Sequence, residues 1–197
     1  MLNAKLHTLV FCATTWECES ALNDKNYGFK KICEAPFEVW RNGSKIVVIT
    51  GIGLVNASVA FAWAVRKFKF TNALNVGAAG LAVSEKTPKK IELGKCYKIS
   101  KVNCLEPYNQ LVYKLGRGGK TLVSASRPIS TFQERSYAGK FGELIDMEGY
   151  ALARSADIFS KEISMIKMLT DFSEKCDIHA NILALSEGFA KMKEIWI

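Results

Sequence analysis

The stretch Lys45-Ile-Val-Val-Ile-Thr-Gly-Ile-Gly-Leu-Val-Asn-Ala57 decides the fold class. Its first half, Lys45–Thr50, is rich in Val and Ile and has the length of a buried strand. Gly51 and Gly53 interrupt it. Beyond Gly53, residues Val55, Val59, Ala62, Trp63 and Arg66 follow a helical period, and Arg66 can carry its charge out to water. A strand, a glycine turn and a helix in that order form the repeating unit of an α/β sheet. Upstream, Phe37–Arg41 can pair with the same strand across the Asn42-Gly43 turn.

The alternation continues in both directions. Thr8–Ala13 reads as a buried strand, and Ala73–Val76 as a short one ending in a glycine loop, Gly77-Ala78-Ala79-Gly80. Cys96–Val102 and Thr121–Ala125 are further strands. Leu144–Met147 is another, followed at once by a helix through about Ile158. Ser164–Thr170 is the last. The C-terminal helix sets Ile178, Ile182, Leu185, Phe189 and Met192 on one apolar face. Gly116–Lys120 is a loop or hairpin tip. The stripe from Val55 to Phe68 suits either the core or a subunit interface, and the core is the ordinary place for it. With 197 residues, no repeat and no linker, residues 1–197 are expected to form one α/β domain with helices on both faces of a sheet.

Composition removes several classes. An apolar share of 49% is that of a folded chain, and no apolar run approaches the roughly 20 residues that span a bilayer. Thr8–Ala13 is too short for a signal peptide and flows into Trp16 and Glu17. Six cysteines, at positions 12, 18, 33, 96, 104 and 176, show no CxxC pair, which points to reduced thiols in a cytoplasm. With two histidines, His7 and His179, no zinc ligand set is expected, and neither a metal nor a cofactor is implied. The net charge is +8, but Lys30/Lys31, Arg66/Lys67/Lys69 and Lys86/Lys89/Lys90 are scattered and fit no nucleic-acid motif. A basic solvated surface is the expectation.

Ligands in open α/β sheets bind beyond the carboxyl ends of the strands. Three acids stand there: Glu17 after the first strand, Glu148 after Leu144–Met147, and Asp171 after Ser164–Thr170. Each has an ordinary alternative. Glu148 and Glu17 could complement a helix dipole, and Asp171 could be a turn residue. Gly53, and Ala79 with Gly80, offer backbone that a ligand can approach closely. Gly51-Ile-Gly53 imitates a dinucleotide loop but lacks its third glycine, and no acid ends the following strand.

Taken in order, Val10-Phe-Cys-Ala-Thr-Thr-Trp-Glu17, Thr50-Gly-Ile-Gly-Leu-Val-Asn-Ala57, Asn75-Val-Gly-Ala-Ala-Gly-Leu81, Ile145-Asp-Met-Glu-Gly149 and Leu169-Thr-Asp171 resemble the nucleoside phosphorylase superfamily. The match is to its hydrolytic branch, which contains methylthioadenosine/S-adenosylhomocysteine nucleosidases and futalosine hydrolases. The resemblance runs from about residue 8 to 190. It implies a three-layer αβα sandwich around a mixed, twisted sheet, and a homodimer. It also implies roles. Asp171 resembles the acid that protonates N7 of the departing purine. Met147 and Glu148 resemble the pair on the ribose. Glu17 resembles the carboxylate that deprotonates water, with Glu19 close by as the other acid for that task. Ile129 resembles the residue whose backbone meets the base.

Those residue types suit the chemistry. Breaking a C1′–N9 bond builds positive charge on the sugar and negative charge on the base. An acid still protonated near neutral pH is needed for N7, so a raised Asp171 pKa from burial and nearby carboxylates is expected. A carboxylate on the ribose hydroxyls favours the cationic sugar, and a third activates water. Superfamily phosphorylases hold phosphate with arginines in the first and central glycine segments. Ala13–Ser20 and Gly77–Gly80 contain none, although Arg127 and Arg135 lie further along.

The chain departs from the pattern in places. It looks short, with Leu105–Gly119 lacking a clear counterpart. Pro128 replaces an aromatic that often stacks on the base, leaving Phe132 or Phe172 for that task. Around Asp177–Asn181 the apolar residues that close over a methylthio group are missing. Futalosine or its 6-amino relative, in a menaquinone route, is therefore the expected substrate, with methylthioadenosine and S-adenosylhomocysteine close behind. A phosphorylase, a non-catalytic nucleoside-binding module and a basic nucleic-acid binder are the other readings.

Overall fold

A computed structural model describes residues 7–83, 92–106, 111–172 and 178–197. Lys86/Lys89/Lys90, Cys176 and Asp177 lie outside the described residues, as do the side chains of Ile178 and Leu185. The chain alternates as its periodicity predicts. In order come β1 (His7–Cys12), a 3-10 turn (Thr15–Glu17), α1 (Glu19–Asn23), β2 (Lys30–Cys33), β3 (Val39–Arg41), β4 (Lys45–Ile49), α2 (Leu54–Lys67) and β5 (Phe70–Leu81). There follow β6 (Cys96–Cys104), β7 (Tyr113–Lys114), β8 (Lys120–Ser124), α3 (Phe132–Ala138), β9 (Leu144–Asp146), α4 (Gly149–Ile158), β10 (Glu162–Asp171), α5 (Ile178–Ala190) and α6 (Lys193–Trp196).

The strands form one mixed sheet. β1 lies between β4 and β5, parallel to both, and β3 joins β4 through the expected hairpin, with Asn42 Oδ1 accepting from the Ser44 and Lys45 amides. Beyond β5 the sheet closes on itself. β5 pairs with both β9 and β10, and the path β9–β8–β6 returns to β10. Sequence alternation alone carries no sign of that closure.

The core follows from strand alternation. In β1, Leu9 and Phe11 join one apolar cluster with Phe61 of α2 and Leu152 of α4, whereas Val10 and Cys12 join a second with Leu22 of α1 and Phe189 of α5. Phe11 stacks on Phe61 with ring centroids 5.1 Å apart. Helix α2 corrects one expectation. Its core face is Ala57, Ala60, Phe61 and Ala64, and Val55 and Val59 point outward, 76% and 54% exposed. Small residues let α2 sit close against the sheet and α4, which leaves the valines on the opposite side of the helix.

The second correction concerns Gly77–Gly80. This is not a loop but the last third of β5. Gly77, Ala78 and Ala79 pair with Lys167, Met168 and Leu169 of β10, and Gly80 pairs with Asp171 and, across β9, with Ile145. The glycines serve close approach rather than turning. A Cβ on Gly77 would lie 2.8 Å from Glu17 Oε1, and one on Gly80 would lie 2.8 Å from Asp171 Oδ2. Strand β9 runs antiparallel to β5. With Ile145 opposite Gly80, the residues that follow head back along β5 toward Gly77.

Candidate active site

The three acids are buried, with 4% exposure at Glu17, 6% at Glu148 and 4% at Asp171. Glu17 closes a capping box with Thr14 at its own 3-10 turn, and it also reaches beyond that turn to β5. Glu148 stands at the start of α4 yet makes no cap bond there. Its Oε1 instead accepts from the Gly53 amide at 2.8 Å. Gly53 has a φ of +101°, a conformation costly to other residues, and it turns that amide toward Glu148 at the mouth of α2. Glu17 folds back so that Oε2 accepts from the Ala13 and Thr14 amides at 2.7 and 3.2 Å, while Oε1 accepts from Ala78 at 2.8 Å. Glu19 is exposed on α1, so the buried acid after β1 is Glu17.

Around Glu17 and Glu148 the structure adds two groups to which sequence reasoning gave no role. Lys167 of β10 is 1% exposed and its Nζ lies 2.7 Å from Asp146 Oδ2. Asp146 also accepts from the Gly149 amide and from the Ser124 hydroxyl. The sequence did carry a signal: Lys167 is the one charge inside an otherwise apolar strand, Met165–Leu169. Burial alone would lower the lysine pKa, but Asp146, Glu148 and Glu17 overcome it and raise it, so the ammonium stays charged. Glu148 responds oppositely. Burial first, then the Asp146 charge, push its carboxyl up to about 7 against the pull of Lys167. Burial also raises Glu17, opposed by Lys167 and three backbone amides.

Asp171 lies three residues further along β5, beside Gly80, about 10 Å away at strand rise. Here the expected neighbourhood is corrected. The charge beside Asp171 is not a carboxylate but the guanidinium of Arg135, 2% exposed, whose Nη2 donates to Oδ2. Arg135 also donates from Nη1 to the Leu81 carbonyl at 3.0 Å and from Nε to the Ser130 carbonyl at 3.3 Å. The carboxylates gather at Gly77, and Glu148 is the group poised near neutrality. Arg127 pairs with Glu134 on the surface, so both arginines meet carboxylates.

Other predicted contacts flank the acids. Met147 is half-buried between Asp146 and Glu148. Ile129 is buried in the loop before α3, and Ala79 is buried in β5. Phe172, directly after Asp171, is 39% exposed, and Phe132 is exposed on α3. At the start of α5, His179 packs on Trp16 with centroids 3.9 Å apart, and Asn181 donates to the Thr170 carbonyl at 2.7 Å. Among the described residues no cluster of three metal-ligating side chains is assembled, and no helix is long and apolar enough to cross a membrane.

Solved structures share this fold. A futalosine hydrolase mutant of Helicobacter pylori superposes with a TM-score of 0.81 at 12% identity, over 96% of this chain and 97% of that one. The chain shares the fold of that hydrolase. A 5′-methylthioadenosine/S-adenosylhomocysteine nucleosidase from Helicobacter pylori, solved with butyl-thio-DADMe-Immucillin-A, gives 0.82 at 13% identity over 98% of each chain. The corresponding nucleosidase from Neisseria meningitidis, in complex with methylthio-immucillin-A, gives 0.77 at 19% identity over 95% of this chain and 96% of that one. No family model and no curated protein matches the sequence. The matches span nearly the whole of each of these nucleosidases.

Proposed function

We propose that this chain is a purine nucleosidase that hydrolyses the N-glycosidic bond of a 5′-substituted purine nucleoside. The observation that carries the reading is the spacing of two buried acid clusters along β5. Glu17, Glu148, Asp146 and Lys167 gather at Gly77, and Asp171 stands at Gly80. That span suits a sugar at one end and a purine at the other.

In this reading Asp171 gives a proton to N7 as the C1′–N9 electrons pass to the base. Ile129 and Phe172 contact the ring, with Ala79 and Gly80 beneath it. Glu148 accepts from the ribose hydroxyls beside Met147, while Gly53 holds its other edge. Glu17 takes the proton from the attacking water, and Lys167 stands beside it over Gly77. Water is favoured over phosphate because Lys167 is matched by Asp146, and Glu17 and Glu148 add negative charge around it. No metal or cofactor enters these steps.

The start of α5 supports a large or polar 5′ substituent over a methylthio group, since His179 and Asn181 stand there. Futalosine or its 6-amino relative is the proposed substrate, which would place the enzyme in menaquinone supply in the cytoplasm. The exposed apolar run Ile52, Val55 and Val59 beside Gly53 supports a homodimer. Chromatography of the bases released from futalosine, aminofutalosine, methylthioadenosine and S-adenosylhomocysteine tests the substrate. Faster release from methylthioadenosine than from either futalosine overturns that choice.

A further inference from the structure

Among the described residues of the site, Arg135 is a buried cation whose partner is the proposed base-protonating acid. Its three hydrogen bonds join three separate elements. They reach Asp171 at the end of β10, the Leu81 carbonyl at the end of β5, and the Ser130 carbonyl, one residue past Ile129. These are the pieces that line the base slot under the proposed reading. A planar guanidinium with donors in a fixed fork can hold three such acceptors in register, and a lysine ammonium cannot. Gly80 is part of the same fit, because a Cβ there would lie 3.0 Å from Arg135 Nη1 and 2.8 Å from Asp171 Oδ2.

We propose that Arg135 is a positioning residue for leaving-group protonation, holding Asp171 against the base slot and stabilising the carboxylate left after proton transfer. The inference rests on the nucleosidase reading. Asp171 Oδ2 is committed to Arg135, so the proton handed over resides on Oδ1. Thr170 Oγ1 lies 3.1 Å from that oxygen and 3.4 Å from the Ala79 carbonyl. With a single proton, the hydroxyl donates to Ala79 while Oδ1 is protonated and to Oδ1 once it is not. In the step itself, the Oδ1–H bond breaks and N7–H forms. The C1′–N9 pair moves onto the base, and water adds to C1′ with its proton passing to Glu17. The carboxylate that appears at Asp171 faces a guanidinium already in place, so little reorganisation accompanies the charge. After the products depart, Glu17 gives its proton to solvent and solvent reprotonates Asp171.

The test compares two leaving groups. A purine requires protonation, whereas the nitrophenolate of 4-nitrophenyl β-D-riboside departs without it. Arg135→Met is expected to lower kcat on the purine nucleoside about a hundredfold, the scale of a lost general acid, with KM little changed. The loss on the nitrophenyl riboside should be at least about tenfold smaller. Arg135→Lys, which keeps charge but not the fork, should fall between wild type and Arg135→Met. Should Arg135→Met fail to fold, Arg135→Met/Asp171→Asn leaves no unpaired buried charge. Its purine kcat should match that of Asp171→Asn within about threefold, because two residues acting through one proton are not additive. Equal losses on both substrates, or a double variant slowed by the product of the single effects, overturn the inference and leave the nucleosidase reading standing. A wild type that releases base from no nucleoside overturns both.

Discussion

Glu148 accepts a hydrogen bond from the backbone amide of Gly53, 95 residues away in the chain, at 2.8 Å. The contact ties the start of α4 to the start of α2, and it spends one carboxylate oxygen on backbone while the other remains for a ligand. The same side chain, pushed up to about 7 by burial and by Asp146, changes charge near neutral pH.

A pH dependence follows with a definite sign. A carboxyl raised in the folded state binds its proton more tightly there, so its burial costs nothing at low pH and a growing amount as pH rises from about 4.5 through about 7. Glu148→Gln should therefore gain stability over wild type between these values, approaching about 3 kcal/mol above them. Denaturant unfolding at pH 5 and pH 8 checks it, and an advantage that does not grow with pH contradicts it. Activity should move the other way. The ionised form is needed on the sugar, so wild-type kcat/KM should decline as pH falls below about 7, and Glu148→Gln should be slow throughout.

Gly77 should tolerate no side chain. A Cβ would lie 2.8 Å from Glu17 Oε1 and 3.3 Å from Lys167 Nζ, in backbone that is extended and would otherwise accept alanine. Gly77→Ala should lower kcat at least about tenfold, as small displacements of catalytic groups do. Gly116→Ala, where a Cβ meets nothing within 4 Å, is the control. Steady-state rates of the two variants decide the point.

The outline of the fold was legible because strand and helix periods are local properties. β4, α2 and β10 appear within a few residues of where their patterns place them. The closure of the sheet was not, since strand partners depend on contacts far apart in sequence. Gly77–Gly80 misled for a related reason. A glycine-rich stretch reads as a loop, but here glycine is needed so that Glu17, Lys167, Asp171 and Arg135 can press on a strand. The acids were visible at strand ends. Their cationic partners were not, because nothing local in Arg135 or Lys167 says which carboxylate it will meet.

Removing Lys167 should be costly. Lys167→Met leaves Asp146 buried without its ion-pair partner, a loss of roughly 3–5 kcal/mol. Lys167→Met/Asp146→Asn should recover part of it, because no unpaired charge remains. Unfolding curves for the single and double variants measure both, and a double variant less stable than the single one contradicts the pairing.

The outward stripe on α2 should be an interface between two copies. Wild type should sediment as a dimer, and Val55→Glu/Val59→Glu as a monomer. KM should rise in the monomer, because the stripe begins two residues from Gly53. A monomeric wild type contradicts this.

The most direct measurement is product analysis in phosphate-free buffer, incubating the protein with the purine nucleoside panel. Free base and free sugar in equal amounts, at a rate unchanged by added phosphate and lowered about a hundredfold by Asp171→Asn, is the predicted result. Base release that requires phosphate and yields the sugar 1-phosphate, or no release from any nucleoside, contradicts it.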